Sequence, residues 1–145
     1  MGTFYRLTCK NKDCRYSVEL REGVGWTLFA RDKNLQSEIL NGEEDASDEI
    51  KDLLKNGYEI MSVTTFLCPV CKEYQINRDP FIFEPIHVSP YGTLREYKLH
   101  FVYGDPECEK CGTKLIHILN PRSPKNKCPK CGISEMKYGG AGYYD

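Results

Sequence analysis

The eight cysteines of this 145-residue chain occur as four close pairs, with none left over. In three pairs the spacing is Cys-x-x-Cys, in which a tight turn directs two thiolates toward one point. Two such turns that face each other place four thiolates in a tetrahedral shell around a soft metal ion. We number the pairs hooks 1 to 4 in chain order: Cys9 and Cys14, Cys68 and Cys71, Cys108 and Cys111, Cys128 and Cys131.

The spacing between hooks predicts which of them share a metal ion. Hooks 3 and 4 form C-x2-C-x16-C-x2-C, which is typical of zinc sites, and each is followed by a glycine that can end the turn with a positive φ. Hooks 1 and 2 are separated by 53 residues, yet each lies between two strand-like segments. We therefore expect two zinc ions, one on Cys108, Cys111, Cys128 and Cys131 and one on Cys9, Cys14, Cys68 and Cys71.

The hooks and their flanking segments resemble the zinc-ribbon class, and their tandem layout is similar to that of uncharacterised prokaryotic zinc-ribbon proteins. The Cys-Pro-Lys-Cys-Gly sequence at residues 128–132 is also similar to the knuckles of rubredoxins, which bind iron. The zinc-ribbon resemblance implies a small β fold held by structural metal. Because this class includes transcription factors, ribosomal proteins and assembly adaptors, it implies a fold more firmly than a function.

Three chemistries compete for these cysteines. Four thiolates on zinc leave no open coordination position, which predicts a non-enzymatic adaptor or regulatory binding module that contacts protein, nucleic acid or both. The alternatives are rubredoxin-like iron electron transfer and thiol redox chemistry at Cys68 and Cys71. No Walker-type loop, recognisable Ser/His/Asp set or deaminase signature indicates an enzyme. We expect His87, His100 and His117 to be ordinary strand residues.

The elements that must position the hooks are mostly strands. Alternating patterns predict strands at 4–8, 16–20, 61–67 and 73–77, and a hairpin of 81–87 with 97–103 around a turn at 89–92. Short helices are predicted at 35–40 and at 48–56, the second capped by Ser47, ended by Gly57 and buried through Ile50, Leu53 and Leu54. Trp26 is expected to anchor a small core.

These patterns predict a small, mostly β fold with one or two short helices, in which two zinc-ribbon-like modules are joined by a β-hairpin. The expected division is 1–94 for the first module, with a helical insertion at about 21–57, then 95–138 for the second and 139–145 for a loose Gly/Tyr tail.

Charge is distributed unevenly along the chain. The net charge is −1, but residues 36–94 are acidic and both ends are basic. The best nucleic-acid candidate is therefore the basic spacer of the last two hooks with its neighbours. It comprises Lys114, Arg122, Lys125, Lys127 and Lys130. No apolar run is long enough for a membrane span and no signal-peptide pattern is seen, so we expect a cytoplasmic protein without a membrane partner.

Overall fold

The computed structural model describes residues 2–84, 99–118 and 120–144, and these form two helices and three small antiparallel sheets. The predicted fold class, small and mostly β with one or two helices, is confirmed. The elements are β1 (Gly2–Cys9), β2 (Ser17–Glu22), α1 (Trp26–Leu40), α2 (Asp48–Lys55), β3 (Glu59–Met61), β4 (Thr64–Cys68), β5 (Glu73–Asn77), β6 (Phe81–Phe83), β7 (His100–Phe101), β8 (Ile116–His117) and β9 (Met136–Tyr144).

Two of the sheets share a core and carry the cysteine hooks. We call them sheet A, with strand order β2-β1-β9, and sheet C, with order β5-β4-β8. Alternation along β1 buries Tyr5 and Leu7, which pack with Leu20 of β2 and Tyr74 of β5. Because this cluster contains side chains of both sheets, it holds sheet A against sheet C. Complete burial of a leucine side chain stabilises a fold by about 1.5–3 kcal/mol.

The third sheet, sheet B, has strand order β3-β6-β7 and packs against both helices. Its core with them is aliphatic and is built from Ile39, Ile50, Leu54, Ile60 and Ile82. Helix α2 begins and ends as predicted. The Ile50 amide donates to the Ser47 side-chain oxygen at 3.3 Å, and Gly57 follows the helix with a φ of +89°.

Helix α1 is longer than predicted, because it begins at Trp26 rather than at residue 35. The expectation that Trp26 anchors a core is wrong, since its side chain is 69% exposed. The residue that α1 buries in its first half is instead Asp32, whose carboxylate accepts a hydrogen bond from Ser62 Oγ at 2.8 Å. Burial raises the pKa of Asp32. A buried polar residue and exposed aromatics hide the helical pattern in the sequence.

The Gly/Tyr tail is a strand, and the prediction of a loose end is wrong. Residues 136–144 form β9, which pairs antiparallel with β1 along its length. At Gly142 of β9 a neighbouring ring occupies the space that a side chain would need. A Cβ added to Gly142 would come within 2.5 Å of the Phe4 ring. The glycine at residue 142, which in the sequence suggests flexibility, permits this close packing.

The two segments of the predicted hairpin pair as β6 and β7, with Phe81 opposite Phe101 and Ile82 opposite His100. The predicted turn at 89–92, the module boundary at 94/95 and His87 lie outside the described residues.

Candidate metal centre

The eight cysteines converge into two groups of four. In each group the four Sγ atoms lie within 4.8 Å of one another, and all eight thiols are free of disulfides. Site 1 combines hooks 1 and 4, and site 2 combines hooks 2 and 3. Their members are Cys9, Cys14, Cys128 and Cys131 for site 1, and Cys68, Cys71, Cys108 and Cys111 for site 2.

The grouping predicted from spacing is therefore wrong, although each of the eight predicted ligands lies in a four-cysteine group. Strand pairing across the chain decides the partners. Strand β9 follows hook 4 and pairs with β1, so that Met136 lies opposite Cys9 at the entrance to hook 1. Strand β8 follows hook 3 and pairs with β4, so that Ile116 lies opposite Leu67 at the entrance to hook 2. The two outer hooks therefore form one site and the two inner hooks form the other, an arrangement that we call nested. In the predicted sequential arrangement, hook 1 would share a site with hook 2, and hook 3 with hook 4.

Two of the six sulfur–sulfur distances in each group are close to those of a tetrahedral thiolate shell, and the others are at most 4.8 Å. Four sulfurs at Zn–S bond lengths of about 2.3 Å are about 3.8 Å apart. In site 1 Cys9 Sγ lies 3.8 Å from Cys131 Sγ, and Cys14 Sγ lies 3.7 Å from Cys128 Sγ. The corresponding distances in site 2 are 3.5 Å and 3.9 Å. A disulfide would require about 2.05 Å, so the geometry is that of a metal shell.

Hooks 2, 3 and 4 share one backbone turn, although only hooks 3 and 4 are followed by the glycine that marks it. In hooks 3 and 4 the amides of Gly112 and Gly132 donate to the carbonyls of Cys108 and Cys128, both at 2.8 Å. The equivalent residue of hook 2 is Lys72, which has a φ of +56° and donates to the Cys68 carbonyl at 2.9 Å. Hook 1 is two residues longer. Arg15, which follows it, also has a positive φ of +55°, but its amide donates to the Asn11 carbonyl, at 3.3 Å.

We predict that Lys72→Gly stabilises the metal-loaded protein by about 0.5–1 kcal/mol. A residue with a Cβ is strained in the left-handed region, and relief of that strain exceeds the entropy that glycine loses on folding. The measurement is the free energy of unfolding in denaturant. Lys51→Gly is the matched control, because Lys51 lies inside α2 and the same change there should destabilise by about 1 kcal/mol. Equal losses in both variants would contradict the shared turn.

Hydrogen bonds to sulfur acidify part of each site. The Gln75 side-chain amide donates to Cys108 Sγ at 3.0 Å and, as the largest cause, lowers the pKa of Cys108 to about 6. Backbone amides of Ser134 and Ile133 lower the pKa of Cys131 to about 6. Burial instead raises the pKa of Cys9 to about 12. Four thiolates in one group would repel one another, and a divalent ion bound there would supply the compensating positive charge. No motif in the sequence marks Gln75.

Glu73 connects the two sites. Its carboxylate lies 2.7 Å from Lys110 Nζ in hook 3 and 3.0 Å from Lys130 Nζ in hook 4. Lys130 also donates to the Cys71 carbonyl at 3.1 Å. The hydrogen bond from Lys110 is the main reason that the pKa of Glu73 is lowered. Hooks of both metal sites therefore meet at one carboxylate.

The predicted nucleic-acid residues are mostly engaged within the chain. Four of them lie within ion-pair distance of described carboxylates. These contacts are Lys114 with Asp105 (2.8 Å), Arg122 with Glu22 (3.1 Å), Lys127 with Glu135 (3.6 Å) and Lys130 with Glu73 (3.0 Å). The Arg122 guanidinium also stacks on the rings of Tyr5 and Tyr138. Lys125 is exposed. Binding of nucleic acid by this set stays a prediction.

The two described histidines lie in strands and in neither cysteine group. His100 is in β7, where its Nδ1 lies 3.1 Å from a Glu49 carboxylate oxygen. His117 is in β8, and burial lowers its pKa to about 4. Neither is positioned as a metal ligand.

Comparison of the chain with protein-family models, with curated proteins and with solved structures found no match. Within the described residues, neither helix is long and apolar enough to cross a membrane.

Proposed function

We propose that this protein is a zinc-stabilised, non-enzymatic binding module of the zinc-ribbon class. The observation that supports this best is the pair of four-cysteine groups, in each of which two sulfur pairs are 3.5–3.9 Å apart, close to the separation in a closed tetrahedral shell. Residues Cys9, Cys14, Cys128 and Cys131 would hold one ion, and Cys68, Cys71, Cys108 and Cys111 the other. The role of the metal is to fix the surfaces around it.

A closed shell argues against catalysis at the metal. Four protein thiolates occupy all four tetrahedral positions, so a bound zinc has no site left for water or substrate. Thiol redox chemistry is disfavoured on separate grounds. The residues that follow hook 2 form strand β5, not a helix whose positive end would activate a thiolate, and Cys68 is fully buried.

The rigid turns around the metal sites carry apolar side chains outward, which favours a binding role. Val70, inside hook 2, is 64% exposed, and Ile133, which follows hook 4, is 79% exposed. Exposed apolar residues on turns that are fixed by metal offer a partner a preorganised contact and reduce the entropy lost on binding.

Metal analysis of the purified full chain tests the proposal. We expect about two zinc ions per chain and a colourless protein. Native mass spectrometry before and after addition of a chelator gives the stoichiometry, and elemental analysis gives the identity. A coloured protein with iron in place of zinc would support rubredoxin-like electron transfer, and a chain without metal but with disulfides would end the proposal.

A further inference from the structure

We infer that the outward face of sheet A binds single-stranded nucleic acid through cationic and aromatic side chains on its three strands. The inference rests on the proposed function, because it names the partner of a metal-held binding module. The surface is defined by Phe4, Arg6, Arg21, Lys137 and Tyr144. It does not include any of the spacer residues to which the sequence points.

Strand register places these side chains on one face. Residues directly opposite each other in antiparallel strands point to the same side of a sheet. Phe4 lies opposite Arg21 on β2, and Thr8 lies opposite Lys137 on β9. The other face carries Tyr5 and Leu7, which are buried against sheet C. None of the five surface residues belongs to a buried cluster among the described residues.

The charge of this face favours an anionic partner. Three cations, Arg6, Arg21 and Lys137, stand against one acid on β2, Glu19. Among the described residues Glu19 pairs with Arg6, at 4.0 Å, and both side chains are about half exposed. Neither Arg21 nor Lys137 forms an ion pair with a carboxylate in the part of the chain that is described. Phosphates that bind here would therefore displace little internal pairing.

Aromatic rings on the same face favour a partner with unpaired bases. The Phe4 ring packs over Gly142, and the Tyr144 ring packs over Gly2, so each ring rests on the backbone of the adjacent strand. The Arg21 guanidinium lies 4.8 Å from the Tyr144 ring centre, and the Tyr144 hydroxyl donates to the Gly23 carbonyl at 2.8 Å. Rings and guanidinium planes that are held in place in this way are the groups on which single-stranded bases stack.

The preference for a single strand follows from this combination. A duplex offers phosphates but keeps its base faces stacked inside, so only the cations of this surface would contribute to binding. An acidic protein would likewise use the cations and leave the rings without a matching group. An unpaired strand engages both sets of side chains.

The test measures fluorescence anisotropy of labelled, mixed-sequence oligonucleotides of about 12 nucleotides with the zinc-loaded full chain. RNA, single-stranded DNA and a DNA duplex of the same sequence form the three arms. We expect at least tenfold weaker binding of the favoured single strand after Arg21→Glu with Lys137→Glu, and several-fold weaker binding after Phe4→Leu. The matched control is Lys51→Glu with Lys55→Glu on α2, which changes the net charge equally and should alter affinity less than twofold.

Metal content, measured on every variant, separates this inference from the proposed function. The inference is overturned if a chain with two zinc ions binds no single strand, or binds the duplex as tightly. It is also overturned if the control pair weakens binding as much as the sheet pair. None of these outcomes would contradict the proposed function as a zinc-stabilised binding module. Loss of zinc from the unmodified chain would instead remove the proposed function.

Discussion

A chain in which the four cysteines of hooks 1 and 4 are replaced by alanine will retain one metal ion per chain. The change removes all ligands of site 1 and none of site 2, because hooks 2 and 3 keep their own four sulfurs together. Strand β4, which enters hook 2, still pairs with β8, which leaves hook 3. The affinity of the remaining ion should stay near that of a structural zinc site, which corresponds to about 10–16 kcal/mol.

The control removes the same number of cysteines from hooks 1 and 3. It leaves hooks 2 and 4, which belong to different sites, so no intact group remains and tight binding should disappear. Metal count by native mass spectrometry and competition with a chromophoric chelator give the two results. Under the sequential grouping that spacing alone predicts, the first variant would retain no intact site either, and that outcome would contradict the nested arrangement.

Stripping both ions will unfold sheets A and C, and zinc will restore them. The apolar cluster that the sheets share centres on Tyr5, Leu7, Leu20 and Tyr74, and two structural sites provide as much free energy as the whole stability of a typical domain, about 5–15 kcal/mol. Near-UV circular dichroism of the ten tyrosines is the appropriate probe. Fluorescence of Trp26 is not, because its side chain is already 69% exposed.

Acid should unfold the protein as a chelator does. The direction of this pH dependence follows from the pKa values of the cysteine thiols. In the folded chain without metal, hydrogen bonds lower the pKa of Cys108 and Cys131 to about 6, below the usual value for cysteine. The stability that these thiolates contribute is present above that usual value and is lost as the pH falls through about 6. A near-UV spectrum and a metal content that do not change as the pH falls below about 6 would contradict this prediction. A folded, metal-free protein with an unchanged near-UV spectrum at neutral pH would contradict the prediction that stripping the ions unfolds the sheets.

The features that could be predicted from the sequence are those specified by residues close together in the chain. Helix α2 is specified within eleven residues by its cap, its apolar face and Gly57, and it forms as predicted. The eight cysteines are recognisable because each hook is a single turn. The grouping of hooks was not predictable, since it depends on β9 pairing with β1 and on β8 pairing with β4. Strand partners so distant in sequence leave no spacing signal.

The parts of the site that the sequence does not mark are those that act across elements. Gln75 reaches Cys108, and Glu73 joins hooks 3 and 4, yet neither belongs to a cysteine motif. Their roles depend on β5 lying beside hook 3, which is a feature of the tertiary structure and not of the local sequence. The left-handed turns at Arg15 and Lys72 were also hidden, because glycine is the signal for such a turn and both positions carry long side chains.

Anomalous diffraction at the zinc edge from crystals of the metal-loaded protein is the most direct measurement of how the hooks are paired. Two peaks are predicted. One should be about 2.3 Å from the sulfurs of Cys9, Cys14, Cys128 and Cys131, and the other equally close to those of Cys68, Cys71, Cys108 and Cys111. A peak that joins hook 1 to hook 2, or hook 3 to hook 4, would contradict the nested arrangement, as would density linking two sulfurs directly.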